Sequence, residues 1–217
     1  MTLVFRACQP TDVDEAIPLM YSAGPDAFRY VFSADYPEQA IDFLRYAFVK
    51  GVGEFGYKDH VVALENNTII GLIGRRSASQ NLTYTVAAVK QIFGFYGFLT
   101  GLKVIIRGLR FEAIVPPPSK GRVCLHNLGV SPDYQSQGYG QKLIEHFILN
   151  ERVANEKIAN KKPLNATHVC LDVAATNPRA KALYQRLGFV VTKHRKGGLK
   201  NKYGRGVDHE TMEVELF

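Results

Sequence analysis

The sequence is poor in cysteine and lacks several motifs that would settle a function at once. Its three cysteines, Cys8, Cys124 and Cys170, are odd in number and far apart, and no CxxC pair occurs. A zinc ribbon, a thioredoxin-like site and a disulfide framework are therefore not expected, and no metal is expected either. No Gly-x-x-x-x-Gly-Lys-Ser/Thr is present, which excludes a Walker A nucleotide loop. No charge-free apolar run reaches the roughly 18 residues that a membrane span needs. The first ten residues have no apolar h-region and are broken by Arg6 and Pro10, so a secretory leader is not expected. The N-x-T sequons at Asn66, Asn81 and Asn165 are then expected to stay unmodified. Together these absences point to a cytoplasmic, reducing location.

What is present is an ordinary globular composition. The 217 residues are 46 % apolar and 22 % charged, which is not the mixture of a disordered chain. There are 27 basic and 20 acidic residues, a net charge of +7. The length suits one large domain. Neither a repeat nor a low-complexity tract stands out.

Periodicity sets out the elements. Strands are expected at 2–6, 60–64, 68–75, 122–130, 168–174, 189–192 and 211–217, and the pair 60–75 turns on Asn66-Asn67 as a hairpin. Helices are expected from Thr11 or Asp12 to Ser22, at 40–50, at 140–157 and after Asn177-Pro178. Gly188 is expected to end the last of these. Between the hairpin and the strand at 122, residues 80–119 read as one or two amphipathic helices closed by Pro116-Pro117-Pro118.

Two stretches carry chemistry. Residues 128–141 read Leu-Gly-Val-Ser-Pro-Asp-Tyr-Gln-Ser-Gln-Gly-Tyr-Gly-Gln: a strand end, a polar loop, then glycines opening a helix. The first turn of a helix has backbone N–H groups without internal partners, and glycine lets an anion come close to them. Such a loop suits a pyrophosphate. The second stretch runs from Leu171-Asp172-Val173 through Asn177-Pro178-Arg179-Ala180 to Tyr184 and Gly188-Phe189.

The two together resemble the GNAT superfamily of acyl-CoA-dependent N-acetyltransferases. The matching positions are Leu128, Val130, Gln135, Gly138, Gly140, Asn177, Ala180, Tyr184, Gly188 and Phe189. The likeness is close over 123–192, follows the family order over 1–75, and is absent over 80–119. It implies an α/β fold with a mixed, mostly antiparallel sheet of about seven strands flanked by helices. It also implies a single domain over 1–217 with an insertion at about 80–119. The implied donor substrate is acetyl-CoA, with its pantetheine arm along Leu128 and Val130. Its diphosphate is implied to lie on the loop of Gln135, Ser136, Gln137, Gly138, Tyr139 and Gly140, with Asn177 nearby.

The implied reaction is acetyl transfer to a primary amine. An alkylamine has a pKa of about 10, so a base or a pKa-lowering site is required. Tyr184 holds the family position of the acid that protonates the leaving sulfur; its other reading is a core aromatic at helical spacing. Asp172 stands where related protein N-terminal acetyltransferases carry a glutamate base. His126, with an ordinary pKa near 6.5, is the second candidate base. Histone-type enzymes of this fold place a glutamate nearer Cys124, and none is found there.

Other features read more plainly. Gly51-Val-Gly-Glu-Phe-Gly56 spells GxGxxG but follows a helix, so it is expected to be a flexible, substrate-side loop and not a dinucleotide site. The basic run 193–206 is expected to be a solvated loop, and no nucleic-acid partner is expected. Residues 86–111 are expected to form a lid over the acceptor slot rather than a membrane contact. The acceptor is an amine-bearing small molecule or protein, and a homodimer is compatible with the sequence. A non-catalytic acyl-CoA-binding module on the same fold is the alternative to an enzyme.

Overall fold

Asn66 and Asn67 both adopt left-handed backbone angles (φ 49° and 67°), which suits a two-residue turn joining twisted strands. They close the hairpin of β2 (His60–Glu65) and β3 (Thr68–Ser77) in the computed structural model, which describes residues 3–159 and 166–216. The remaining strands are β1 (Leu3–Ala7), β4 (Gly121–Val130), β5 (Ala166–Ala174), β6 (Val190–Arg195), β7 (Leu199–Lys200), β8 (Arg205–Gly206) and β9 (His209–Glu215). Seven of them form one sheet in the order β1-β2-β3-β4-β5-β9-β6, while β7 and β8 make a small separate ribbon. Every neighbouring pair in the large sheet is antiparallel except β4 and β5.

Side-chain alternation sends successive residues to opposite faces. In β2, Ala63 joins the core beneath α5 (Tyr139–Ala159) and α6 (Pro178–Arg186), with Leu143, Ile144, Leu171 and Phe189. Val62 and Leu64 join the opposite core, against α1 (Val13–Ser22) and α3 (Gln39–Lys50), with Ile17, Met20 and Phe48. Each such side chain, fully buried, contributes about 1.5–3 kcal/mol. A third cluster joins α2 (Pro25–Phe32) to α3 and α4 (Asn81–Glu112) through Phe32, Phe43, Ile92 and Val104.

The long apolar stretch is thus helical, but it is broken once. Gly97 has φ 70° and ψ −178°, a region open essentially only to glycine, and divides α4 into halves at 81–96 and 98–112. The halves stay close: a Cβ on Gly101 would lie 2.9 Å from the Phe93 ring.

Several expectations need correction. Helix α2 was not foreseen; Pro25 opens it and its aromatic residues pack inward. Asp12 does not cap α1 with its side chain; its carboxylate accepts from the Gln9 N–H at 2.7 Å and the Arg6 guanidinium at 2.7 and 2.8 Å. Segment 51–56 is tightly folded rather than flexible: a Cβ on Gly56 would meet the Gly51 backbone at 2.5 Å. The basic run after β6 docks on α2, where Asn201 donates to the Tyr30 carbonyl at 2.9 Å and Arg205 pairs with Asp26 at 3.0 Å. Cys124 and Cys170 are joined by a disulfide. They stand directly opposite one another in the β4–β5 register with Cα atoms 4.4 Å apart, although 46 residues separate them in sequence.

Candidate active site at the splayed strands

β4 and β5 pair only as far as Cys124 and Cys170. Past that point β4 stays with β3 up to Val130, and β5 stays with β9 up to Ala174. The two central strands therefore part, with the disulfide at the apex of the V. Asn127 (φ 51°) sits where the β3–β4 ladder shifts register, which bends β4 within its parting segment. The β4 edge facing β5 is left without a strand partner there, as an extended ligand arm would require.

At the open end, β4 runs into a loop held by its own side chains. Gln135 Nε2 donates to the Val130 carbonyl at 3.0 Å, and Gln137 Nε2 donates to that of Asp133 at 2.9 Å. Ser136 and Gly138 take left-handed angles (φ 66° and 86°), which turns consecutive N–H groups to one side. The first backbone bond of α5 is Lys142 N–H to the Gly138 carbonyl. Among the described residues, no protein acceptor is bonded by the N–H groups from Ser136 to Gln141. Six successive donors at a helix N-terminus form a cradle fit for a diphosphate. Arg179 of α6 bonds the Ser136 hydroxyl and adds a cation at its rim.

A cavity of about 890 Å³ occupies the V and extends away from the loop. His126, Leu128, Val130, Gly140, Asp172, Asn177 and Tyr184 all line it. Its far part is walled by Phe28, Phe32 and Phe55 and by Ile92, Ile105 and Leu109 of α4, with Glu54, Arg76 and Glu112 among them.

A family model for the acetyltransferase (GNAT) domain matches residues 56–191. The chain belongs to the GNAT acetyltransferase family. It is 40 % identical over 67 residues to the [ribosomal protein bS18]-alanine N-acetyltransferase of Escherichia coli K12, an alignment covering 30 % of this chain. The chain spans 37 % of that relative's length. The fold is similar to that of an N-acetyltransferase from Staphylococcus aureus Mu50 (TM-score 0.65, 15 % identity, 97 % of this chain and 100 % of that one). It is also similar to a phosphinothricin acetyltransferase from Sinorhizobium meliloti in complex with AcCoA (TM-score 0.55, 16 % identity, 100 % and 89 %).

Within this GNAT fold the singled-out residues have distinct surroundings. Tyr184 is 7 % exposed, and its ring lies edge-on to Phe189 at 5.9 Å. Among the described residues its hydroxyl has no partner, and burial pushes its pKa up to about 12. Asp172 lies on the face opposite Leu171 and Val173. Its Oδ1 accepts from Thr211 at 2.6 Å and from Arg195 at 3.4 Å. Burial raises the Asp172 pKa, against the opposing pull of Thr211 and Arg195. Asn177 caps α6, accepting from the Ala180 N–H at 3.1 Å. Tyr139 offers its backbone to the cradle, while its buried hydroxyl donates to Glu65 at 2.5 Å.

His126 pairs edge-to-face with His60 at 5.4 Å, and among the described residues neither of its buried ring nitrogens has a hydrogen-bond partner. Burial lowers His126 to a pKa of about 4, helped by the nearby Arg76. Burial and the neighbouring His126 lower His60 to about 3. Both rings are neutral in the fold, whereas in the unfolded chain they take a proton near pH 6.5. Below that pH the unfolded form binds more protons, so stability is full above about 6.5 and falls as pH drops toward 4. The expected slope is up to about 1.4 kcal/mol per pH unit for each ring. Urea unfolding at a series of pH values measures it, and His60→Phe should flatten the curve. An unaltered slope in that variant would mean that His60 does not contribute to the acid lability.

Two further groups at the cavity and one at the cradle went unread in the sequence. Glu54, within the glycine-rich 51–56 loop, pairs with Arg76 at 2.9 Å. Glu112, at the end of α4, has its pKa raised by burial. Arg179 could have been found, since it directly follows the Asn177-Pro178 helix start; the two glutamates carry no local signal.

Proposed function

We propose that this protein transfers an acetyl group from acetyl-CoA to a primary amine by direct attack on the thioester. The observation that carries the reading is the unpaired N–H run from Ser136 to Gln141, set at the open end of two parted strands. The chain's residues fit acetyl-CoA: an anion cradle, a strand edge free to pair with an extended arm, and a cavity beyond. When bound, acetyl-CoA supplies an acyl group activated as a thioester. The cradle holds the diphosphate, and the free edge of β4 between Leu125 and Val130 aligns the arm and offers N–H groups to developing negative charge. Asp172 Oδ2, left free by Thr211 and Arg195, takes the amine proton through a water. Asp172 is given this task because it lines the cavity with one carboxylate oxygen unengaged; burial raises its pKa, whereas burial lowers that of His126. The Tyr184 hydroxyl donates a hydrogen bond to the departing sulfur, which leaves as a thiolate and takes its proton from solvent. Glu112 draws the cationic acceptor toward the far part of the cavity, and Ile92, Ile105 and Leu109 support an acceptor role for α4. A cytoplasmic location is part of the proposal, although the Cys124–Cys170 bond is of a kind rare in a reducing compartment.

The relative's alanine acceptor makes a peptide N-terminus one class to include among the acceptors tested. The experiment is a screen of peptide N-termini, lysine side chains, polyamines and small amines, read as free thiol released from acetyl-CoA. Turnover with at least one class is expected, and Asp172→Asn should reduce it by about 10²-fold. Tight acetyl-CoA binding with no thiol release from any class would favour the non-catalytic module.

A further inference from the structure

α4 is held on one side only. Ile92 and Val104 lie in the aromatic core with Phe43. Tyr96 donates to the Phe32 carbonyl at 2.5 Å, Arg107 to that of Ser33 at 2.8 Å, and Gln91 to that of Val52 at 2.8 Å. These contacts fix the helix against α2 and the 51–56 loop. Its other side carries an apolar stripe turned to solvent. Phe98, Leu102, Ile106 and Leu109 are spaced four, four and three residues apart and share one face, with Leu99 beside them. Leu99 is 76 % exposed, Phe98 71 % and Leu109 63 %. On the first half, Leu82, Val86 and Val89 form a second exposed stripe that ends at Phe93. The two stripes meet where Phe93 stacks on Phe98 at 5.5 Å, beside the Gly97 break.

Charge identifies the occupant. From Asn81 to Phe111 there is no acidic residue and there are four basic ones, Lys90, Lys103, Arg107 and Arg110. Arg107 is tied to Ser33, while Lys90, Lys103 and Arg110 are exposed beside the stripes. A second copy of the chain would bring like charges face to face. A bilayer with anionic headgroups takes both features at once, burying the apolar stripe at the headgroup boundary and neutralising the lysines and arginine. The segment Ala78–Glu112 is long and apolar enough by length and composition to cross a membrane. The Gly97 break rules that out here: a 16-residue half spans about 24 Å, short of the roughly 30 Å of hydrocarbon.

We infer that the exposed face of α4 docks on an anionic membrane surface, with Phe98 and Leu99 inserted and Lys90, Lys103 and Arg110 against headgroups. Val89 and Leu109 of this face also line the cavity, so the docked protein holds that wall of the cavity at the lipid surface.

The test is sedimentation of the full chain with vesicles. Binding is expected to vesicles of phosphatidylcholine and phosphatidylglycerol in equal parts, not to phosphatidylcholine alone, and should weaken as salt rises. Each basic side chain near an anionic surface is worth about fivefold, so Lys90→Gln, Lys103→Gln and Arg110→Gln together should weaken binding by about a hundredfold. Phe98→Ser with Leu99→Ser should abolish it, with the circular dichroism and unfolding midpoint of both variants unchanged. Lys193→Gln, Lys196→Gln and Lys200→Gln, in the basic run that begins in β6 and outside α4, should leave it intact. No binding to the mixed vesicles at low salt overturns the inference, as does binding lost only in the 193–200 variant. A dimer that Phe98→Ser with Leu99→Ser converts to monomers, without vesicle binding, gives this face to a second copy and overturns it as well.

Discussion

Tyr184→Phe is expected to slow acetyl transfer by about 10²-fold while leaving acetyl-CoA affinity unchanged. The substitution removes one oxygen and keeps the ring against Phe189. Because the lost hydroxyl has no protein partner among the described residues, stability should move by less than about 0.5 kcal/mol. The size of the rate effect follows from the acidity of the group. With a pKa of about 12, the phenol stays protonated at every pH an assay would use. Handing its proton fully to a thiolate of pKa about 8.5 is uphill by about 3.5 pH units. The hydroxyl therefore stabilises the departing sulfur as a hydrogen-bond donor, an interaction worth about 1.5–3 kcal/mol when one partner is charged. That corresponds to the lower end of the range for acid catalysis. Single-turnover rates across pH separate the two modes. Donation without transfer gives a constant ratio between wild type and variant, whereas full proton transfer gives a ratio that shrinks above the thiol pKa. Equal rates at all pH values would leave Tyr184 a core aromatic.

Gly138→Asp is expected to weaken acetyl-CoA binding by at least about 10²-fold. A side chain here meets nothing within 4 Å, so bulk alone does not unfold the loop. The backbone angle of +86° costs an ordinary residue about 1–2 kcal/mol, less for Asp and Asn, whose short side chains bond locally. What Asp adds is a carboxylate within a few ångströms of a bound diphosphate. At about 4 Å two like charges repel by about 1 kcal/mol in water and about 4 kcal/mol near a protein surface. Gly138→Asn has the same shape and strain without the charge, and its loss should stay below about tenfold. Calorimetry on both variants gives the difference, which should narrow at high salt. Equal losses for Asp and Asn would mean that the cradle does not face the phosphates.

The elements that the sequence made legible are those whose signals are local. The Asn66-Asn67 hairpin, the Asn177-Pro178 helix start and the glycine that ends α6 each need only a few neighbouring residues, and each lies where expected. The cradle belongs to the same class, because a strand, a loop and a helix start are contiguous. What stayed hidden depends on register and on packing between distant segments. Nothing in the spacing of Cys124 and Cys170 says that β4 and β5 align them. Nothing near His126 announces His60, which comes beside it from another strand. The stretch 81–112 was hard to divide because its apolar residues cover nearly every side. One side meets the aromatic core and another faces solvent, so periodicity could not place the break that Gly97 makes.

The position of β6 at the end of the sheet gives the basic run beginning there a role in solubility. An edge strand offers unpaired N–H and C=O groups to any other strand, including the same strand of another molecule. β6 is that edge, and it carries Lys193, His194 and Arg195, with Lys196 following directly. Two molecules approaching β6 to β6 would bring the Lys193 and Lys196 charges together before backbone bonds could form. His194 lies against Glu210 at 3.1 Å, while Lys193 is left to solvent to repel an incoming strand. The positive charge on β6 thus guards this edge of the sheet, opposite β1, against growing by one more strand.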